Sequence, residues 1–210
     1  ARHGNPERLV LLDHAETPLF EIERELVEVR RFEAVLPVLG AAGNEAKLRQ
    51  VFEKFRPDVV FHAPNAPHPC EGNPFGYQWF GISRMDPSVA AAGVRTAAPY
   101  VEQFLDDRMA AYDVDESKTV LVGFSQGTMM ALHVGLRRAK PLAGIVGFSG
   151  MLAAPESLKG EIKSRPPVLL VHGDADDMLP AVLTQRAAAV LQENEVEVAV
   201  HIAKGVAHGI

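Results

Sequence analysis

Only one cysteine, Cys70, stands in the 210 residues. No disulfide can therefore form within the chain, and a reducing, cytoplasmic compartment is the expected setting. Long apolar runs are missing too. The most apolar window, residues 141–155, is broken by glycines and falls short of the about 20 residues a helix needs to cross a bilayer. The opening residues, Ala1-Arg2-His3-Gly4-Asn5-Pro6, lack the apolar centre of a signal peptide, and the first is not Met, which leaves room for a segment upstream. Positive charge is in short supply. Lys and Arg number 21 against 27 Asp and Glu, a net charge of −6, and the basic residues are scattered. That pattern speaks against a nucleic-acid or anionic-membrane surface. Histidines 3, 14, 62, 68 and 133 show no ligand spacing, so no metal and no cofactor are expected. What remains is an ordinary globular composition, 47% apolar and 23% charged, of a length that fits one domain with a substantial core.

One stretch stands out against this background. Residues 120–132 read V-L-V-G-F-S-Q-G-T-M-M-A-L. A short apolar run ends in Gly123-Phe124-Ser125-Gln126-Gly127, and a helical apolar pattern begins at once. A G-x-S-x-G with a strand before it and a helix after it is a nucleophile elbow: the serine occupies a tight turn that lifts its hydroxyl above the sheet. The flanking glycines leave space where strand and helix approach closely. The Gln126 N–H, at the start of the helix, points to where an oxyanion would form. The bland alternative is a structural Gly-Ser turn.

Elsewhere the chain alternates strand and helix signals. Residues 9–12 are strand-like; residues 19–32 lean to strand segments; residues 34–39 form a third apolar run. Residues 45–55 have helical spacing, with Leu48, Val51, Phe52 and Phe55 on one face. Val59-Val60-Phe61 reads as a buried strand. Residues 63–87 are rich in Pro, Gly and Asn and read as a long irregular loop. It holds Phe75, Tyr77, Trp79 and Phe80, four of the fourteen aromatics. A loop of that length in a compact domain is usually functional, and these four are a candidate substrate wall; the alternative is a small satellite core. Asp86-Pro87 looks like an N-cap with proline at the first helical position, opening a helix that runs to about Tyr112 with a kink near Pro99. Further expected elements are helices over residues 126–138 and 179–191, and strands over 144–148, 168–171 and 195–202. The alternation implies a mostly parallel sheet with helices on both faces, an α/β fold.

A serine nucleophile needs a base and a carboxylate to orient that base. In this architecture the chain order is serine, acid, histidine, with the later two on loops after later strands. Residues 168–171 are followed by His172-Gly173-Asp174-Ala175-Asp176-Asp177, and spacing alone does not separate the three aspartates. After the last strand, His208 stands on a glycine-flanked loop where the base is expected. His201 falls inside a strand, and His172 at a strand end reads as a structural hydrogen-bonding residue. Gly147-Phe148-Ser149-Gly150 echoes the elbow, but the second glycine is missing at the required offset, and residues 151–155 do not continue as a capped helix. Ser149 is read as a strand-end turn.

From about Gly43 onward the chain resembles the phospholipase/carboxylesterase family of α/β-hydrolases, which includes acyl-protein thioesterases and small bacterial carboxylesterases. The matching pieces are Ala63-Pro64-Asn65-Ala66-Pro67, Trp79-Phe80, Gly123-Phe124-Ser125-Gln126-Gly127, His172-Gly173 with Asp176 and Pro180, and Gly205 with His208. They run collinearly. The resemblance implies an α/β-hydrolase fold with Ser125 as nucleophile, Asp176 as orienting acid and His208 as base. It also implies an oxyanion hole from the N–H groups of Gln126 and of a loop residue after the third strand, here Leu39. The chain departs from the family in places. Pro37-Val38 replaces His-Gly before Leu39, Gly81 replaces an aspartate, the first 34 residues do not match, and the chain stops two residues after His208, where family members normally continue with a closing helix.

The expected protein is thus a single-domain cytoplasmic serine esterase for carboxylic esters of modest acyl length, acting through an acyl-enzyme on a small-molecule ester or thioester. A homodimer is compatible with the sequence. Acyl-thioesterase or lysophospholipase-type activity is the close alternative. The rival from another class is a catalytically silent binding protein on the same fold, suggested by Pro37-Val38, whose proline lacks an N–H and whose β-branched valine resists positive φ. On that ground the Leu39 N–H is expected to be misaligned or mobile in the free protein.

Overall fold

The computed structural model describes residues 8–12, 59–62, 64–70, 73–81 and 86–208, with backbone alone at 8–12, 59–61 and 73–76. The expectations for residues 19–32, 34–39 and 45–55, including Pro37-Val38 and Leu39, lie outside the described residues.

Among the described residues six strands form one parallel sheet. They are β1 (Arg8–Leu12), β2 (Val59–His62), β5 (Thr119–Phe124), β6 (Gly144–Phe148), β7 (Val168–Gly173) and β8 (Val198–Ala203), in the order β2-β1-β5-β6-β7-β8. Every ladder is parallel, with Leu9 opposite Thr119 at one seam and Phe124 opposite Phe148 at the next. Every residue of β6 and β7, and all but the last of β5, is buried. A strand buried at each position is covered on both faces, as the continuous Val/Leu/Ile runs require. The order steps outward from β1 to β2 and then back past β1 to β5. That reversal creates a switch point, and the crevice at the carboxyl ends of the strands on either side of it is where open α/β sheets bind ligands.

The 63–87 stretch is less irregular than its composition suggests. It contains a two-stranded antiparallel ribbon, β3 (His68–Cys70) and β4 (Asn73–Gln78), with a register shift between Pro69 and Cys70. Helix α1 (Pro87–Tyr112) begins as expected: the Asp86 carboxylate accepts from the Ser88 N–H at 2.8 Å, and Pro87 needs no N–H in the first turn. Pro99 lies inside it. Helix α2 (Gln126–Gly135) is buried at all ten positions and packs against α1, β5 and β6. It ends at Gly135, short of residue 138; beyond it the Arg137 N–H turns back three residues to Val134 O at 3.0 Å, a bond that tightens the last turn.

Helix α3 (Pro155–Glu161) follows Ser149 after a gap, a helix that the sequence reading did not name. Its entry has no side-chain cap; Ala154 at φ 54° makes the turn and Pro155 sets the first helical φ. Local sequence therefore carried no capping signal. Helix α4 (Val182–Glu193) starts later than expected because Leu179 is drawn out of helical bonding. Its N–H donates to Asp176 Oδ1 at 2.8 Å and its carbonyl accepts from His172 Nε2 at 2.7 Å. Strand β8 likewise starts at Val198, since Glu195 turns at φ 62° and the Val196 N–H closes α4 on Leu191 O. Glu161 of α3 meets Arg95 of α1 at 2.9 Å and Arg137, in the turn after α2, at 2.6 Å.

Candidate active site

Ser125 joins β5 to α2 at φ 52°, ψ −113°, a conformation that L residues rarely adopt and that costs about 1–3 kcal/mol. The surroundings hold it there. Its N–H donates to Phe148 O at 2.8 Å. Thr128 Oγ1 stands 2.8 Å from both Gly123 O and Phe148 O, so one hydroxyl bridges the two strands beneath the turn. A side chain at Gly123 would run into the backbone of Gly127 and Thr128. The elbow's first glycine is thus required by the close crossing of strand and helix.

Asp176 and His208 approach from two loops that are stitched to one another. The Asp174 N–H donates to Ala203 O at 3.0 Å and the Ala175 N–H to Val206 O at 3.0 Å. A Cβ on Gly173 would strike the Val206 carbonyl. Asp174 is exposed and accepts from the Gly205 N–H at 2.6 Å, which shapes the histidine loop from outside. Asp177 is exposed as well. Asp176 alone of the three is buried, and its Oδ2 lies 2.7 Å from His208 Nδ1. Its Oδ1 accepts from the N–H groups of Met178 at 3.0 Å and Leu179 at 2.8 Å. Burial pushes the Asp176 carboxyl up, but the Leu179 N–H, His208 and the Met178 N–H together outweigh it and hold the group below its ordinary value. Asp176 is therefore an anion that only accepts hydrogen bonds, and the proton shared with His208 belongs to Nδ1. That leaves a lone pair on His208 Nε2. His208 is half-buried, with its ring centroid 5.0 Å from that of Phe124, the residue before Ser125. The imidazole thus stands beside the elbow.

The remaining expected site residues divide. The Gln126 N–H begins α2 at the elbow, as anticipated. Its side chain does something the motif did not announce: Oε1 accepts from the Trp79 N–H at 3.0 Å and Nε2 donates to Phe80 O at 2.7 Å. The aromatic segment is therefore held against the elbow by its backbone. Trp79 and Phe80 are buried in the main core, and Phe80 fills the space that a side chain on Gly93 would need. Tyr77 is exposed, and Phe75 lies on β4. Leu39 lies outside the described residues. Ser149 ends β6 in a turn at φ 44°, fully buried, as its sequence context suggested.

A strained serine at a strand–helix crossing, a histidine beside it and a buried carboxylate on that histidine, all at the carboxyl end of a parallel sheet, make up the arrangement of an α/β-hydrolase. Comparison with known proteins narrows the class. The phospholipase/carboxylesterase family model matches residues 39–210, and the chain belongs to that family. A model for polysaccharide biosynthesis proteins matches residues 1–76. Among solved structures the chain is similar to esterase PE8, 38% identical with a TM-score of 0.80, covering 99% of this chain and 87% of that one. It shares its fold with acyl-protein thioesterase 2 of Zea mays, 21% identical, TM-score 0.63, covering 99% of this chain and 88% of that one. Among curated relatives it is similar to acyl-protein thioesterase 1 of Schizosaccharomyces pombe, 31% identical over 105 residues, 49% of this chain and 46% of that protein. The corresponding protein of Emericella nidulans is 28% identical over 154 residues, 65% of this chain and 64% of that protein. The matches to these two span from about half to just under two thirds of their length.

Proposed function

We propose that the protein is a serine carboxylesterase with Ser125, Asp176 and His208 as its triad. The observation that carries this reading is the 2.7 Å contact between His208 Nδ1 and the buried Asp176 carboxylate, beside a serine held at φ 52°. Ser125 Oγ attacks the ester carbonyl while His208 Nε2 takes its proton. The Asp176 anion keeps the Nδ1–H tautomer and balances the imidazolium that forms. The Gln126 N–H, at the N-terminus of α2, donates to the oxyanion, and Leu39 is the proposed second donor. As the tetrahedral adduct collapses, the ester C–O bond breaks and the alcohol leaves with the proton from His208. Water then adds to the acyl-enzyme with His208 again as base, and Ser125 Oγ departs reprotonated. The exposed Tyr77 is the proposed part of the wall for the acyl or alcohol group, whereas Trp79 and Phe80, expected there too, are buried in the main core.

A second reading, cleavage of acyl-thioesters, uses the same groups and is favoured by the similarity to proteins named acyl-protein thioesterases. Two measurements test both. A fluorophosphonate should label the protein at Ser125 and leave Ser125→Ala unlabelled. A panel of p-nitrophenyl esters of increasing acyl length, run beside matched acyl-thioesters, should show turnover that Ser125→Ala abolishes without loss of fold. Absence of labelling would point to a silent binding protein, and labelling that survives Ser125→Ala would return attention to Ser149.

A further inference from the structure

Behind Asp176 stands a second histidine that the triad does not use. His172, at the end of β7, is fully buried. Its Nε2 lies 2.7 Å from Leu179 O and 3.0 Å from Asp176 Oδ2, the oxygen that also meets His208. Its Nδ1 lies 2.6 Å from Thr184 Oγ1 on α4, and that hydroxyl lies 2.9 Å from Gly150 O. The protons can be assigned from chemistry alone. A carbonyl oxygen only accepts, so the Nε2 that meets Leu179 O must carry a proton. The Thr184 hydroxyl has one proton and two claimants, His172 Nδ1 and Gly150 O. Whichever receives it, Nε2 remains the donor toward Leu179 O. Asp176 then accepts from three N–H groups, Met178 and Leu179 at Oδ1 and His208 Nδ1–H at Oδ2, while His172 Nε2 stands 3.0 Å from Oδ2 as a close contact.

We propose that His172, whose Nε2–H is claimed by Leu179 O, is a positioning residue that holds the Leu179 backbone, through it the Asp176 carboxylate and through that carboxylate the imidazole of His208. This rests on the reading of Asp176 as the orienting acid. The same chain of contacts runs from Leu179 in the acid loop through His172 and Thr184 to Gly150, whose Cα lies so near the elbow that a Cβ there would stand 2.9 Å from Ser125 O. The acid loop and the floor of the elbow are therefore held by one buried line of hydrogen bonds. A misplacement of about 1 Å in a catalytic group can cost about 100-fold in rate. His172 touches no substrate, so its loss acts on the chemical step and not on binding.

The test pairs two variants with one measurement on the unaltered protein. His172→Leu should lower kcat about 10–100-fold with KM within about twofold. His172→Gln, whose amide can donate from nearly the same place, should keep kcat within about threefold of the parent. In the full-length protein with ¹⁵N-labelled histidine, the resonance assigned to His172 should show the proton on Nε2. Parental kcat in His172→Leu overturns the proposal, as does equal impairment in His172→Gln or a proton found on Nδ1 alone. If His172→Leu does not fold, the glutamine variant and the tautomer decide. The tautomer is read without turnover, so it separates failure of this proposal from failure of the esterase reading, which fluorophosphonate labelling tests.

Discussion

At the scale of single residues, the loop 174–177 shows how burial sorts three chemically identical groups. Asp174 shapes a turn, Asp177 faces solvent, and Asp176 is buried against His208. Asp176→Asn should lower kcat by orders of magnitude, because an amide facing Nδ1 can stabilise the wrong imidazole tautomer. Asp177→Asn should leave kcat within about twofold. Asp174→Asn should do little to chemistry and lower stability by about 0.5–1.5 kcal/mol, because it weakens one exposed hydrogen bond to Gly205. Steady-state kinetics with urea unfolding on the three variants checks the ranking, and equal kcat losses in all three would remove Asp176 from its role. Sequence spacing left these three unresolved. Resemblance to the family pointed to Asp176, and the residue that the fold buries is the same one.

At the scale of elements, α2 carries a cost that its apolar pattern conceals. His133 is buried within it, and burial first, then Arg137 and Arg95, push its pKa down to about 4. The ring is neutral in the fold but charges near pH 6.5 in the unfolded chain. Between those values the unfolded state binds the extra proton, so stability falls as pH falls. The loss begins near pH 6.5 and is complete below about 4. From pH 7 to pH 5 it amounts to about 2 kcal/mol. His133→Met should remove that part of the slope, as urea midpoints of both proteins at pH 7 and pH 5 will show. A slope unchanged in the variant would place the acid sensitivity elsewhere. The helix itself was legible from apolar spacing after Ser125. The missing signal was at α3, where a positive-φ alanine takes the place of a capping side chain.

At the scale of the whole molecule, Gln126 links segments 46 and 47 residues apart, through Phe80 O and the Trp79 N–H. The same residue offers its backbone N–H to the elbow. Gln126→Leu keeps that N–H and withdraws the side-chain partner from two backbone groups in a buried setting. The expected loss is about 2–4 kcal/mol of stability, together with faster hydrogen exchange at the Trp79 amide than at strand β6. Exchange measured by mass spectrometry reads both regions in one experiment. Equal protection of Trp79 in parent and variant would show that core packing of Trp79 and Phe80 holds the segment without Gln126.

The sequence by itself determined what short-range sterics and periodicity control. A strand running into Gly123-Phe124 and another over residues 168–171, the elbow between β5 and α2, the capped start of α1 at Asp86-Pro87, and a parallel α/β sheet all come from a few neighbouring residues. Tertiary structure decided what depends on distant groups meeting in a buried place. It turned part of the 63–87 loop into a ribbon, delayed α4 by drawing on both backbone groups of Leu179, and gave Gln126 its side-chain partners. It also placed His172 behind Asp176. These choices are not written in local pattern, because an aspartate, a glutamine or a histidine has the same propensities wherever it stands. Its partners are set by which strands the sheet brings side by side and by the requirement that each polar group buried between them find a hydrogen bond.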